Sequence, residues 1–197
     1  EGVPYSYFAT KKVSLRIMNE KEATHLSKFL SLVLRHSPET IHLKLDENGW
    51  ANVDELITQC NKHRKKLDIK LLEYVVETNY KKRFAFNEDK TRIRASQGHS
   101  IEINLNLLEV QPPTVLYHGT VDKFILNIQK EGLQKMSRQH VHLSKDRDTA
   151  IKVGSRRGKP IILTIQSERM HHDGFQFYLS ENGVWLCNEV PIKYIDF

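Results

Sequence analysis

The spacing of apolar residues changes near Asn79, and the chain must fold by different rules on either side of that change. Upstream, Leu26, Phe29, Leu30 and Val33 recur at the positions of one helix face, Val53, Leu56, Ile57 and Cys60 share a second, and Leu72, Val75 and Val76 a third. A residue able to cap the first turn precedes each run: Asn19 with Glu22 three residues on, then Asn52, then Asp68. Ser37-Pro38 stops the first helix, and Asn48-Gly49 marks a turn before the second. From Arg83 the period is two. Arg83-Phe84-Ala85-Phe86, the polar turn Asn87-Glu88-Asp89-Lys90 and Thr91-Arg92-Ile93-Arg94-Ala95 predict a β-hairpin.

Short helices closed by a basic hairpin resemble a winged-helix module, an architecture common among nucleic-acid-binding proteins. Between Ser100 and Gln111 polar and apolar residues mix, and Gln111-Pro112-Pro113 reads as the linker, because consecutive prolines resist both helix and central strand. Beyond it the pattern predicts a strand at Val115 to His118, a helix from Val121 to Lys130 closed by Gly132, a strand at His140 to Leu143 and a helix from Asp146 to Val153 closed by Gly154. Strands then dominate, at Pro160 to Gln166, Phe175 to Leu179, Gly183 to Asn188 and Ile192 to Phe197. The expected fold class is therefore α+β, in two lobes: residues 19–111 and 112–197, with 1–18 as a loose arm outside both.

Charge narrows the partners. The stretch Lys62 to Arg94 holds eleven Lys or Arg against five Asp or Glu, an excess equal to the +6 of the whole chain. Such a patch favours a polyanion, and RNA or DNA is the usual partner; a solvated helix face plus hairpin is the plainer alternative. No apolar run is long enough to cross a bilayer and no signal-peptide pattern opens the sequence, so a cytoplasmic, membrane-free protein is expected, with monomer as the default state. Cys60 and Cys187 lie far apart among apolar residues and read as buried thiols.

The usual nucleotide fingerprints, GxGxxG and GxxxxGK[ST], are absent. What stands out instead is arginine and histidine among small polar residues at element ends: Leu34-Arg35-His36-Ser37, Arg94-Ala95-Ser96-Gln97-Gly98-His99-Ser100, and Ser137-Arg138-Gln139-His140-Val141-His142-Leu143-Ser144. Arginine presents a planar fork that matches phosphate, and histidine can carry a proton near neutral pH. Taken singly, Arg35 could be a helix C-terminal cation, Arg94 a hairpin contact to backbone phosphate and Arg138 a solvated loop residue. His118-Gly119-Thr120 ends a strand, where Gly119 would let a ligand approach the backbone. Despite ten histidines no metal is expected, since His118, His140, His142 and His171-His172 lack ligand spacing and carboxylate partners.

In order along the chain, Ser27 to His36, Asn48-Gly49-Trp50, Lys82-Arg83-Phe84, Arg94 to Ser100, Leu116-Tyr117-His118-Gly119-Thr120, His140 to Ser144 and Glu181-Asn182-Gly183-Val184-Trp185-Leu186 resemble the NAD-dependent RNA 2′-phosphotransferases. The resemblance runs from about Asn19 to the C-terminus. It implies a winged-helix RNA lobe followed by a lobe of the ADP-ribosyltransferase fold, with site residues drawn from both. It implies NAD as co-substrate and RNA bearing an internal 2′-phosphate as substrate, without a metal. The family's catalytic Arg-His-Arg-Arg set falls on Arg35, His36, Arg94 and Arg138, and its NAD contacts on His118, Gly119, Thr120, His142, Leu143, Ser144, Gly154 and Arg156.

Related protein-modifying enzymes place a glutamate at the position that the resemblance aligns with Val190. Adjacent Glu189 should face the other way on an alternating strand, so it should not stand in. Two other readings compete: an enzyme that stops after ADP-ribosylating a phosphate or protein, and a non-catalytic RNA-binding module. The module would explain the basic hairpin but not His118 or His142.

Overall fold

The computed structural model describes residues 21–79 and 81–197; the proposed cap at Asn19 and the arm Glu1 to Met18 lie outside them. Residues 21–33 form α1, whose Leu26, Leu30 and Val33 are buried, as their spacing requires. Pro38 lacks the N–H a continuing helix needs and instead opens a 3-10 turn, Pro38–Ile41. Helices α2, Val53–Lys62, and α3, Ile69–Thr78, begin where expected: the Asn52 side chain accepts from the Glu55 N–H and the Asp68 side chain from the Leu71 N–H.

Strand β1, Ala51–Asn52, was not anticipated; it pairs antiparallel with β3, Arg92–Ala95, which pairs on its other edge with β2, Phe84–Phe86. The register sets Phe84 opposite Ala95 and Phe86 opposite Ile93. Leu30, Leu34, Ile41, Leu56, Leu72 and Ile93 are fully buried in one cluster with Phe84. Each such aliphatic side chain contributes about 1.5–3 kcal/mol relative to exposure.

The second group of elements begins with β4, Leu116–Val121, the 3-10 turn Asp122–Phe124, α4, Ile125–Glu131, and β5, Leu133–Gln134. Next come β6, Val141–Leu143, α5, Arg147–Gly154, β7, Pro160–Ile165, and α6, Ser167–His172. It ends with β8, Tyr178–Leu179, β9, Trp185–Cys187, β10, Glu189–Val190, and β11, Ile195–Asp196. Two small antiparallel sheets, ordered β11-β7-β4 and β6-β9-β8, are joined by an antiparallel bridge between Tyr117 and Ser144; β10 and β5 form a separate pair. Leu116, Leu163, Ile165, Met170, Phe177 and Tyr194 fill the core. The architecture is α+β.

Contacts divide the chain into one compact unit up to Ala95 and a second from Ser96 to Phe197. The division falls before Gln111-Pro112-Pro113 because the intervening segment packs on the second unit: Gln139 Nε2 donates to the Ile103 carbonyl at 2.8 Å, and Val110 N–H to that of Phe177 at 2.9 Å. Two glycine expectations part ways. Gly132 closes α4 at positive φ, whereas α5 runs through Gly154 at φ −62 and continues into the 3-10 turn Ser155–Arg157. The late strands are shorter than predicted, and residues Ile192–Tyr194 form a 3-10 turn before β11. Among the described residues no helix is long and apolar enough to cross a membrane.

Candidate active site

In the first unit, α1 ends just before Arg35, whose guanidinium turns back toward the hairpin. Its Nη2 donates to the Arg83 carbonyl at 3.2 Å. Arg83 in turn donates to Asn79 Oδ1 at 3.3 Å, and the buried Asn79 amide donates to Ser27 Oγ on α1 at 2.9 Å. Because Phe84 pairs with Ala95, the carbonyl of Arg83 lies at the open end of the β2–β3 ladder, one residue beyond that terminal pair and two beyond Ala85, which pairs with Arg94. Arg35 and Arg94 are thus brought to one end of one hairpin. His36 follows Arg35 on the exposed side.

Arg94 is held by a residue that helical or strand periodicity did not single out. Its guanidinium carbon lies 4.5 Å from the centre of the Trp50 ring, and that of Arg92 lies 5.6 Å away. The indole is fixed by the turn before β1, where Asp46 Oδ1 accepts from the N–H groups of Asn48 and Trp50, both at 2.9 Å. Asp46 Oδ2 also pairs with Arg92 at 3.4 Å. A signal existed: Arg92 and Arg94 alternate on one face of a strand, and such a face needs a partner that tolerates two cations. The loop after Arg94, expected to act with it as a donor set, belongs to the second unit, where the carbonyl of buried His99 accepts from Gln139 N–H at 3.3 Å.

In the second unit, three of the expected residues form a chain. Arg138 Nη1 lies 2.7 Å from His142 Nδ1. A guanidinium only donates, so His142 Nδ1 accepts and any proton of the neutral ring sits on Nε2. The His142 carbonyl lies 3.1 Å from His118 Nδ1, and a carbonyl only accepts, so His118 carries its proton on Nδ1 and leaves Nε2 as an acceptor. Burial holds the His118 pKa below the usual histidine value; the bond to His142 opposes this, and the charges of Arg138 and Arg157 reinforce it.

Arg138 is itself pressed downward, first by desolvation and then by Arg157 and Arg156. Those two arginines ride the turn Ser155–Arg157 that follows α5. None of the three pairs with a carboxylate among the described residues. An aggregate of cations and imidazoles without a counter-charge is suited to an anionic ligand. Arg138 also lines a cleft of about 660 Å³, with Ser100, Ile103, Lys135, His140 and Tyr178 among its walls, which the sequence did not indicate.

The remaining expected contacts are placed differently. Thr120 and Leu143 are buried, and the backbone of Ser144 is committed to Tyr117 in both directions at 2.8 and 2.9 Å. Gly119 was expected to admit a ligand, yet the space above it is filled by α5. A Cβ there would stand 1.9 Å from the Ala150 carbonyl oxygen, and one on Gly154 would stand 3.2 Å from the Thr120 oxygen. The two glycines let a helix lie directly on β4, which is what carries Arg156 and Arg157 toward His118. Glu189 is exposed and Val190 buried, so they face opposite ways. Burial pushes the thiols of Cys60 and Cys187 up to about 11 and about 12, which makes both inert at neutral pH. Among the described residues no group of three or more His, Cys, Asp or Glu is placed to hold a metal ion.

In the second unit the guanidinium groups and imidazoles gathered on an α+β frame are of the kind suited to a phosphorylated ligand. The family model described as RNA 2′-phosphotransferase, Tpt1 / KptA family, matches residues 21–189, and the chain belongs to that family and is a transferase. It is 70% identical over 180 residues to a Flavobacterium johnsoniae protein named "Probable RNA 2′-phosphotransferase", covering 91% of this chain and 99% of that one. Relatives of the same name from Fusobacterium nucleatum and Rhodopirellula baltica are 58% and 56% identical, over 87% and 90% of this chain and 97% of each relative.

Proposed function

We propose that the protein transfers an internal RNA 2′-phosphate, of the kind left at a tRNA splice junction, to the ADP-ribose of NAD. The products are RNA with a 2′-hydroxyl, nicotinamide and ADP-ribose 1″,2″-cyclic phosphate. The observation that carries this reading is the family match, which spans both compact units rather than either alone. The first unit serves as a winged-helix RNA lobe and the second as an ADP-ribosyltransferase-like NAD lobe.

NAD supplies the ADP-ribosyl group and a leaving group, nicotinamide. The chain's own residues fit it through their cations: Arg156, on the turn after α5, suits a pyrophosphate, and His118, His142 and Ser144 would orient the rest of the molecule. In the first step an oxygen of the 2′-phosphate displaces nicotinamide at C1″, giving an ADP-ribosylated RNA phosphate. In the second, the ribose O2″ attacks phosphorus, the bond to RNA O2′ breaks, and that oxygen takes up a proton. Arg35, Arg94 and Arg138 position the phosphate and stabilise charge on its oxygens. His36, exposed and able to change protonation near neutral pH, donates the proton to O2′.

The test is incubation with NAD and an RNA carrying one internal 2′-phosphate. Free 2′-hydroxyl with cyclic ADP-ribose phosphate supports the reading; stalled ADP-ribosylated RNA, or binding without turnover, overturns it. His36→Ala is expected to accumulate the ADP-ribosylated RNA, with the second step slowed about 100-fold or more. A second step at normal speed would remove His36 from that role.

A further inference from the structure

The basic stretch Lys62 to Arg94 does not form one surface. In its hairpin half, two cations of the wing meet carboxylates. Lys90 pairs with Glu73 of α3 at 2.7 Å and is influenced by Glu77 one turn further on. Arg92 pairs with Asp46, and with Arg94 it stacks on Trp50. The hairpin tip adds Glu88 and exposed Asp89. In a winged-helix arrangement the third helix and the wing would meet nucleic acid together, yet here Glu73 and Glu77 of α3 offset the charge of Lys90 on the wing.

The other half spans the last residue of α2, Lys62, the connection that follows it, and the first turn of α3, which carries Lys70. Lys62, Arg64, Lys65, Lys66 and Lys70 are all exposed, and none pairs with a carboxylate among the described residues. The one acid among them, Asp68, accepts from Leu71 N–H at 2.8 Å as the cap of α3. This connection is stapled. Asn61 Nδ2 donates to the Leu67 carbonyl at 2.7 Å, Asn61 Oδ1 accepts from Leu67 N–H at 3.1 Å, and the Leu67 side chain is buried. Arg64 takes a left-handed conformation at φ 58, and Lys65 N–H donates to the Cys60 carbonyl at 2.9 Å. Cations shown on a fixed loop lose little order when they bind, which favours a repeating anion over a chance counterion.

We infer that the phosphate backbone of the RNA substrate docks on the α2–α3 loop, at Lys62, Arg64, Lys65, Lys66 and Lys70, and not on α3 and the hairpin wing. The inference rests on the reading of this unit as an RNA lobe. It separates grip from chemistry within one unit: the loop holds the backbone, while Arg35 and Arg94 address the 2′-phosphate.

The experiment compares two variants of the full chain, Lys62→Gln/Arg64→Gln/Lys65→Gln/Lys66→Gln and Lys90→Gln/Arg92→Gln, with thermal unfolding checking that each is folded. Binding of a 2′-phosphorylated stem-loop RNA is measured from 50 to 200 mM salt. The loop variant should lose affinity on the order of 100-fold, and its slope of log affinity against log salt should shrink by about three. The wing variant should change affinity less than about threefold. A wing loss equal to or larger than the loop loss overturns the inference, as does an unchanged salt slope in the loop variant. If the loop variant is unfolded, Lys62→Gln/Lys66→Gln alone should lower the slope by about one to two. Turnover of a 2′-phosphorylated trinucleotide with NAD by the unaltered protein tests the proposed function separately, since the binding measurements stand whether or not turnover occurs.

Discussion

The two units hold their arginines in opposite ways. In the first, Arg35 rests on a backbone carbonyl, Arg94 on an indole and Arg92 on both an indole and a carboxylate, so each guanidinium is oriented before any ligand arrives. In the second, Arg156 and Arg157 press on Arg138, whose acceptor is a histidine nitrogen, and of the three only Arg157 lies over a ring among the described residues, that of Phe124 at 5.7 Å. Preorientation limits the entropy lost on binding, whereas mutual repulsion creates a demand that an anion relieves. The first arrangement suits aiming at a phosphate; the second suits capturing one.

The contrast is broken most forcefully at Arg138. Its replacement by alanine is expected to lower turnover of 2′-phosphorylated RNA by about 100- to 1,000-fold, as for loss of one preorganised donor to a developing oxyanion. Arg138→Lys should recover little, because an ammonium cannot both reach His142 Nδ1 and offer a planar fork. A rate within tenfold of the unaltered protein for either variant would show that the cluster in the second unit is structural.

Next in size is Gly119. Its position in β4 leaves no room for a Cβ, since backbone atoms of Ala150 and Gly154 in α5 stand at 1.9 and 2.9 Å. Backbone cannot swing aside as a side chain can, so Gly119→Ala should cost about 3 kcal/mol or more, seen as a lower urea midpoint. If stability were unchanged, α5 would not lie on β4 as described, and the placement of Arg157 near His118 would fall with it.

Gly119 also shows what the sequence could and could not say. A glycine after a strand histidine signals close approach, but not of what, because the approaching helix lies about thirty residues further along the chain. Local signals read well: Asn52 and Asp68 cap the helices they were expected to cap, and the alternation around Phe84 and Ile93 became paired strands. Signals whose partner is distant did not. Strand β1 is too short to show a period and exists through Ile93 and Arg92; Gly154 does end α5, but nothing local shows that it also packs against β4; and the prolines at 112 and 113 hid that Ile103 and Val110 already belong to the second unit. The candidate residues themselves were legible because arginine and histidine without carboxylates are conspicuous. The Arg138–His142–His118 chain and the Trp50 platform were not, since hydrogen-bond partners across strands leave no local pattern.

The smallest expected effect tests whether the second unit is built around a neutral His118. Its pKa in the fold lies below the usual value of about 6.5, chiefly through burial, so on acidification the unfolded chain binds the proton first. The stability that neutral His118 contributes is therefore intact above about pH 6.5 and lost as pH falls through its folded value, at up to about 1.4 kcal/mol per pH unit. His140, lowered by burial and Lys135, adds to the same slope. Urea midpoints followed from pH 7.5 to 5 should fall for the unaltered protein and fall less for His118→Gln, which keeps a donor for the His142 carbonyl but does not titrate. Equal slopes would mean that His118 is not held neutral in the fold: Nδ1 would still donate to the His142 carbonyl, but Nε2 would carry a proton as well and could not act as an acceptor.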